Sequence, residues 1–316
     1  MKFEPLNLSK IKTYPLKERK NKVKIKDFIN LNLFYKDFLS YLSSLPSILA
    51  ANDLKEVVNL IFKAYEHKKP VILAMGAHVI KCGLSPLIIE LMKKGIVTAI
   101  ALNGAGAIHD FEISLIGETS EDVAENITSG VFGMAEESTQ LLNEAISNCL
   151  GKKLGLGQVI AEKIEVLDNP YKEYSILYQG FKLQIPVTIH VAIGTDIIHQ
   201  HKNCNGAALG EGSLHDFKIF ARQITKLGDG GVYLNIGSAV ILPEVFLKAL
   251  TVARNLGYQV NNFTTINLDK ESHYRPRVNV VQRPTQEGGK GYSLIGHHEI
   301  MIPLLARAVL EKIALS

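Results

Sequence analysis

A chain of 316 residues, 47% hydrophobic and 21% charged with a net charge of +4, has the make-up of a globular protein able to bury a large core. No stretch approaches the ~20 apolar residues of a membrane helix, so no membrane partner is expected. The charge is local: residues 1–26 hold nine Lys/Arg and two Glu, a net +7, which leaves the rest of the chain at −3. This basic segment lacks the apolar region of a secretory signal and reads as a solvated arm packing on a neighbouring subunit. The body has no basic stripe or recognition motif, so nucleic acid is not an expected partner. Cys82, Cys149 and Cys204 are odd in number and far apart, without a Cys-x-x-Cys pair. They point to a reducing, cytoplasmic setting, with neither a disulfide framework nor a thiolate zinc site of the usual spacing.

After the arm, helical periodicity covers residues 27–45 and 54–67, with a break near Pro46. Short apolar runs then alternate with helical segments. PVILAM at 70–75 is a strand, 84–94 a helix, and VTAIAL at 97–102 a second strand. Residues 120–150 are helical in composition, interrupted at Gly130 and Gly133; 152–166 is another helix, and 169–184 supplies turns. The alternation resumes with strand 187–193, helix 213–227, strand 231–236, helix 243–256 and strand 264–268, and a last helix covers about 299–314. Apolar strands with helices between them define βαβ units, hence an α/β fold with a parallel sheet and helices on both faces. Residues 27–316 are expected to form one such domain, with a helical N-terminal extension.

Open parallel sheets bind ligands beyond the carboxyl ends of their strands, and the unusual residues fall there. They are Gly76, Ala77 and His78 after the first strand, and Asn103, Gly104, Ala105, Gly106, His109 and Asp110 after the second. Thr195, Asp196, His199 and His201 follow the third, Gly237 and Ser238 the fourth, and His297, His298 and Glu299 precede the last helix. Glycine turns let backbone N–H groups approach a phosphate at a helix start. They equally serve a tight βα turn with no ligand. The histidines with Asp110 and Asp196 offer donors for a metal, but neither His199-x-His201 nor His297-His298 has the i,i+4 spacing that sets two ligands on one helix face. Hydrogen-bonding or acid–base roles are the expected reading, with no metal. Lys81 and Lys290 are the lysines in or near these loops; a desolvated one can form an imine with a carbonyl.

The ordered succession VILAMGAHVIKCG, VTAIALNGAGAIHDFE, IPVTIHVAIGTD, VYLNIGSAV, FTTINLD and HHEIMIPLL, over about two-thirds of the chain, resembles deoxyhypusine synthase. NGAGAIHDFE also resembles the NAD-associated domain of archaeal-type ornithine cyclodeaminase. The resemblance implies a Rossmann-like sheet, a homotetramer, and NAD bound at subunit interfaces. It implies an amine substrate oxidised by NAD, whose aminoalkyl group passes through an enzyme-lysine imine to a protein acceptor. By position it assigns Ala77, His78, Asn103, Gly104, Ala105, Gly106, Thr195, Gly237 and Ser238 to the cofactor, and Asp110, Asp196 and Glu299 to the cationic substrate. His109 or His297 is the candidate base and Lys290 the candidate imine former. The catalytic positions depart from the family: Val240-Ile-Leu-Pro-Glu244 stands where it has a histidine, the chain has no Trp, and His297 or His298 replaces an acidic residue. The expectation is a deoxyhypusine synthase-like, NAD-dependent enzyme oxidising an amine or amino acid to an imine. The alternatives are a metal-dependent enzyme built on the histidine cluster and a non-catalytic NAD-binding protein.

Overall fold

The computed structural model describes residue 30 and residues 36–316, so the basic arm and most of the first expected helix lie outside the described residues. The chain divides into two units, one ending at Asn52 and one from Asp53 to Ser316. In the first, helix α1 (Phe38–Ser44) is capped by Asp37, whose Oδ1 accepts the Ser40 N–H at 2.9 Å. Helix α2 (Leu49–Glu66) starts before the division, and its portion in the second unit buries Leu54, Val57, Val58, Ile61 and Ala64 at helical spacing.

The second unit is built on a six-stranded sheet in the order β3-β2-β1-β4-β5-β6, with every neighbouring pair parallel. Its strands are β1 (Val71–Met75), β2 (Ala99–Asn103), β3 (Val187–His190), β4 (Val232–Ile236), β5 (Thr264–Asp269) and β6 (Lys290–Ile295). Strands β1, β4 and β5 are buried along their whole length; β1 (VILAM) is apolar throughout, as a strand covered on both faces tends to be, whereas β4 and β5 also bury Asn235, Thr264, Thr265, Asn267 and Asp269. Tyr233 of β4 stacks on Phe246 of the following helix with centroids 3.8 Å apart and planes 7° from parallel, and Phe220 meets Tyr233 edge-on. Among the described residues, no helix is long and apolar enough to cross a membrane.

Two expectations change, and the interruption at Gly130 and Gly133 falls where it was expected. Residues 169–184 are not all turns: Ile176–Leu183 is a helix whose start is capped by Ser175. The 120–150 segment breaks into Val123–Ile127 and Glu136–Ser147, with Gly130 and Gly133 at positive φ between them. Strand β6 was not expected. It is an edge strand that exposes Lys290, Ser293 and Ile295 and buries Tyr292 and Leu294, so KGYSLI has the alternation of a half-covered edge and not an apolar run.

Candidate functional site

Strand order reverses between β1 and β4, and the carboxyl ends at such a switch point are where open parallel sheets bind ligands. Two turns meet there at a distance that only glycine permits. A Cβ on Gly76 would lie 2.1 Å from the Gly237 carbonyl oxygen. Gly237 has φ +62°, and a Cβ on it would lie 2.7 Å from the His298 ring. Ser238 takes up the start of the helix after β4 (Ile241–Asn255), its Oγ accepting the Leu242 N–H at 3.3 Å. Ala77 is half-buried and His78 exposed at the rim.

At the ends of β2 and β3, Asn103 caps α3 (Gly104–Ile116), its Oδ1 accepting the Gly106 N–H at 2.9 Å. Gly104 then has a more specific reason than a phosphate. A Cβ there would lie 2.0 Å from Asp196 Oδ2, so the glycine admits a carboxylate to the helix start. Asp196 is 7% exposed, and its Oδ2 has no hydrogen-bond partner. Burial pushes its carboxyl above the ordinary range, against the pull of His199 and the Ala105 N–H. His199 Nδ1 accepts the backbone N–H groups of Gly194 (3.1 Å) and Asp196 (3.3 Å). The neutral ring therefore carries its proton on Nε2, which is buried, unpartnered and 4.0 Å from Asp196 Oδ2. Donor and acceptor face each other across a gap too wide for a direct bond.

Asp196 and Thr195 lie on the wall of a cavity of about 840 Å³. Glu112, Glu118, Glu121 and Glu137 also line it, with His109 and a single lysine, Lys81. Such a lining favours a cation. His109 Nδ1 is 2.6 Å from Thr119 Oγ1, and the same hydroxyl donates to Glu112 Oε2. A hydroxyl has one proton, and an ionised carboxylate only accepts, so Nδ1–H is the donor to Thr119 and Nε2 keeps its lone pair. Burial raises the Glu112 carboxyl, but hydrogen bonds from His109 and Thr119 bring it below its usual value. The chain Glu112–Thr119–His109 thus orients an imidazole as a base.

Other expected residues lie elsewhere. Asp110 does not face the cavity: it is 0% exposed, and its carboxylate accepts from Ser175 Oγ and the Ile176 and Leu177 N–H groups, capping the helix Ile176–Leu183. Burial still raises it to about 6. This corrects its reading as a substrate anchor, because every lone pair that reaches a donor is used inside the fold. Lys290 begins β6, so it sits at the amino edge of the sheet, about 17 Å of strand away from the carboxyl ends. Its Nζ is 2.6 Å from Glu56 Oε2, an ion pair that holds the amine protonated and raises its pKa. An imine former needs a free amine, so Lys290 is misplaced for that role. Replacing it with Ala is expected to leave any borohydride-trapped adduct and any amine turnover unchanged within twofold; loss of the adduct would restore Lys290 to the chemistry. His201 is spent on Gly133 O (2.8 Å) and Thr139 Oγ1 (3.3 Å), away from a shared metal with His199. His297 is exposed beside Glu299, 3.7 Å from its Oε1, at the rim and not on the cavity wall.

The sequence alone did not single out Glu112 and Thr119. Glu112 follows His109 by three residues on one helix, a visible spacing. Thr119 reaches back only because α3 ends at Gly117 (φ +76°) and the chain turns on itself.

No family model and no curated protein matches the chain. Solved structures do. A conserved LOR/SDH-type protein from Methanococcus maripaludis S2 superposes with TM-score 0.50 at 16% identity, over 88% of this chain and 71% of that one. AgrE in its ternary complex with ornithine and NAD+ gives TM-score 0.55 at 13% identity, over 84% of this chain but only 34% of AgrE. A protein described as a deoxyhypusine synthase from Entamoeba histolytica gives TM-score 0.52 at 12% identity, over 88% and 94%. The chain has the deoxyhypusine synthase-like fold.

Proposed function

We propose that the chain is an NAD-dependent enzyme that oxidises a cationic amine or amino acid at the carbon next to nitrogen. The observation that carries this reading is the acidic cavity at the ends of β2 and β3, where a buried carboxylate with an unpartnered oxygen, Asp196, shares a wall with an oriented imidazole, His109. Asp196 supplies the anchor for the substrate ammonium, helped by the field of Glu118 and Glu137. His109 Nε2 takes the proton released from the substrate nitrogen.

The residues fit a dinucleotide in one place and not in another. Asp196 already fills the start of α3 with negative charge, so a pyrophosphate is disfavoured over Gly104–Gly106. The remaining candidate is the switch point where the Gly76 and Gly237–Ser238 turns meet, and there Ala77, His78 and Ser238 would hold the cofactor. Bound NAD supplies the hydride acceptor; orientation and charge are the protein's part. AgrE, which shares the fold, binds ornithine and NAD+ in its crystals.

Excess NAD, at about 100 times its dissociation constant, is expected to stabilise the protein by about 2.7 kcal/mol and raise its unfolding midpoint by a few degrees. Amines and basic amino acids are then expected to produce reduced cofactor, read by absorbance. No midpoint shift in protein freed of nucleotide would overturn the reading.

A further inference from the structure

A second group of side chains stands at the rim of the switch point, outside the acidic cavity. His78 and Cys82 are four residues apart across one short helical turn, with the Cys82 N–H bonded to the His78 carbonyl at 2.9 Å. That spacing sets both side chains on one face. Glu299, in the first turn of the last helix (His298–Ala314), faces them, with Cys82 Sγ 3.8 Å from its Oε2. Donor atoms of His78, Cys82 and Glu299 all lie within 4.8 Å of one another.

We propose that His78, Cys82 and Glu299 form a binding site for a zinc-class divalent cation. The donor set is one imidazole nitrogen, one thiolate sulfur and one carboxylate oxygen. This mixture suits zinc and its borderline neighbours and is unsuited to magnesium or calcium, which select oxygen ligands. Ligand atoms around a tetrahedral zinc sit about 3.3–3.8 Å apart, given metal–ligand distances of about 2.0–2.3 Å. The Cys82–Glu299 pair is already at that separation, and the exposed His78 closes the rest by a shift on the order of 1 Å.

The surroundings are those of a supported site. His297 Nδ1 lies 3.7 Å from Glu299 Oε1, the oxygen opposite the one that meets Cys82, so an imidazole stands beside the carboxylate's free oxygen. The His78 ring packs against His298, with centroids 5.5 Å apart, and His298 is in turn wedged against Gly237. Partners behind the ligands are what orient metal-binding side chains. Three protein donors leave the fourth position open, the arrangement of a catalytic zinc site and not of a closed structural one. The signal in the sequence is the His-x-x-x-Cys within GAHVIKCG; the third ligand is more than two hundred residues away.

The site shares His78 with the proposed cofactor contacts, so it is tested without nucleotide, and Cys82 and Glu299, which that reading does not use, separate the two. Metal-free full-length protein is titrated with zinc by calorimetry and with cobalt by absorbance. One ion per chain is expected, with a sulfur-to-cobalt charge-transfer band in the near ultraviolet. Cys82→Ser is expected to abolish the band, and Cys82→Ser, His78→Gln and Glu299→Gln each to weaken zinc binding at least tenfold. Cys204→Ser is expected to change neither. All three ligands lie at the rim, and far-ultraviolet circular dichroism checks that each variant is folded. Absence of stoichiometric binding, or a cobalt band that survives in Cys82→Ser, would overturn the proposal while leaving the NAD-dependent midpoint shift as its own result.

Discussion

Asp196→Asn is expected to lower kcat/KM for a cationic substrate by about a hundredfold to a thousandfold, or ~3–4 kcal/mol of lost transition-state binding. Asparagine keeps the shape and can still accept the Ala105 N–H, so the start of α3 remains capped. What it removes is the negative charge beneath the cavity. In a site 7% exposed that charge is weakly screened, and the surrounding protein has already desolvated it. The unpartnered Oδ2 is the acceptor that the substrate nitrogen would complete. The measurement is steady-state kinetics with the best amine, alongside the unfolding midpoint. A kcat/KM within threefold of the parent would mean that Asp196 serves only as a helix cap and that the substrate binds elsewhere.

Asp216→Asn is expected to change how stability depends on pH. Asp216 lies 1% exposed on the helix Gly206–Ile224, and its Oδ2 accepts the N–H groups of Gly157 (3.0 Å) and Ile189 (2.8 Å), tying a neighbouring helix start to strand β3. Burial lifts its carboxyl from 3.8 to about 7, and the backbone donors offset only part of that rise. A carboxyl with a raised folded pKa binds its proton more tightly in the folded state. Its contribution to stability is therefore complete below about pH 4 and is lost as pH rises through about 7. A rise of that size corresponds to ~4 kcal/mol. Asparagine cannot ionise, and its amide oxygen can keep both Oδ2 bonds. Denaturant unfolding of the two proteins from pH 4 to 8 is expected to show the variant gaining on the parent by up to ~4 kcal/mol. His190, which burial pushes down to about 3, works in the opposite direction, its cost growing as pH falls below about 6.5. It is common to both proteins and drops out of the difference. A difference that does not change with pH would show that Asp216 is ionised at no extra cost in the folded protein.

Several features of the fold could be read from the residues alone because their causes are local. A parallel strand covered on both faces is mostly apolar or β-branched, so β1 (VILAM) and the Val-Tyr-Leu of β4 announce themselves. The glycines and polar residues marked the strand ends, among them His109 and Asp196, which line one cavity. Strand β6 escaped because an edge strand needs only one apolar face, and the helix Ile176–Leu183 because one of its caps, Asp110, comes from 65 residues earlier.

The composition, the alternation of strand and helix, and the gathering of polar residues at strand ends were all determined by sequence. Which of those polar residues share a space was decided only by the tertiary structure. Asp110 and Asp196 look alike in the sequence, each a carboxylate just after a strand. The fold turns one inward onto backbone donors and leaves the other with an open lone pair in a cavity. Lys290 lies eight residues before His298 in the chain, yet the length of β6 puts the two at opposite ends of the sheet. Chain separation and spatial separation part company wherever a strand crosses the core, since each residue of strand carries the backbone about 3.3 Å. The same crossings bring Glu299 to His78 and Cys82, and the turn at Gly117 brings Thr119 back to His109, pairings that no helical spacing encodes.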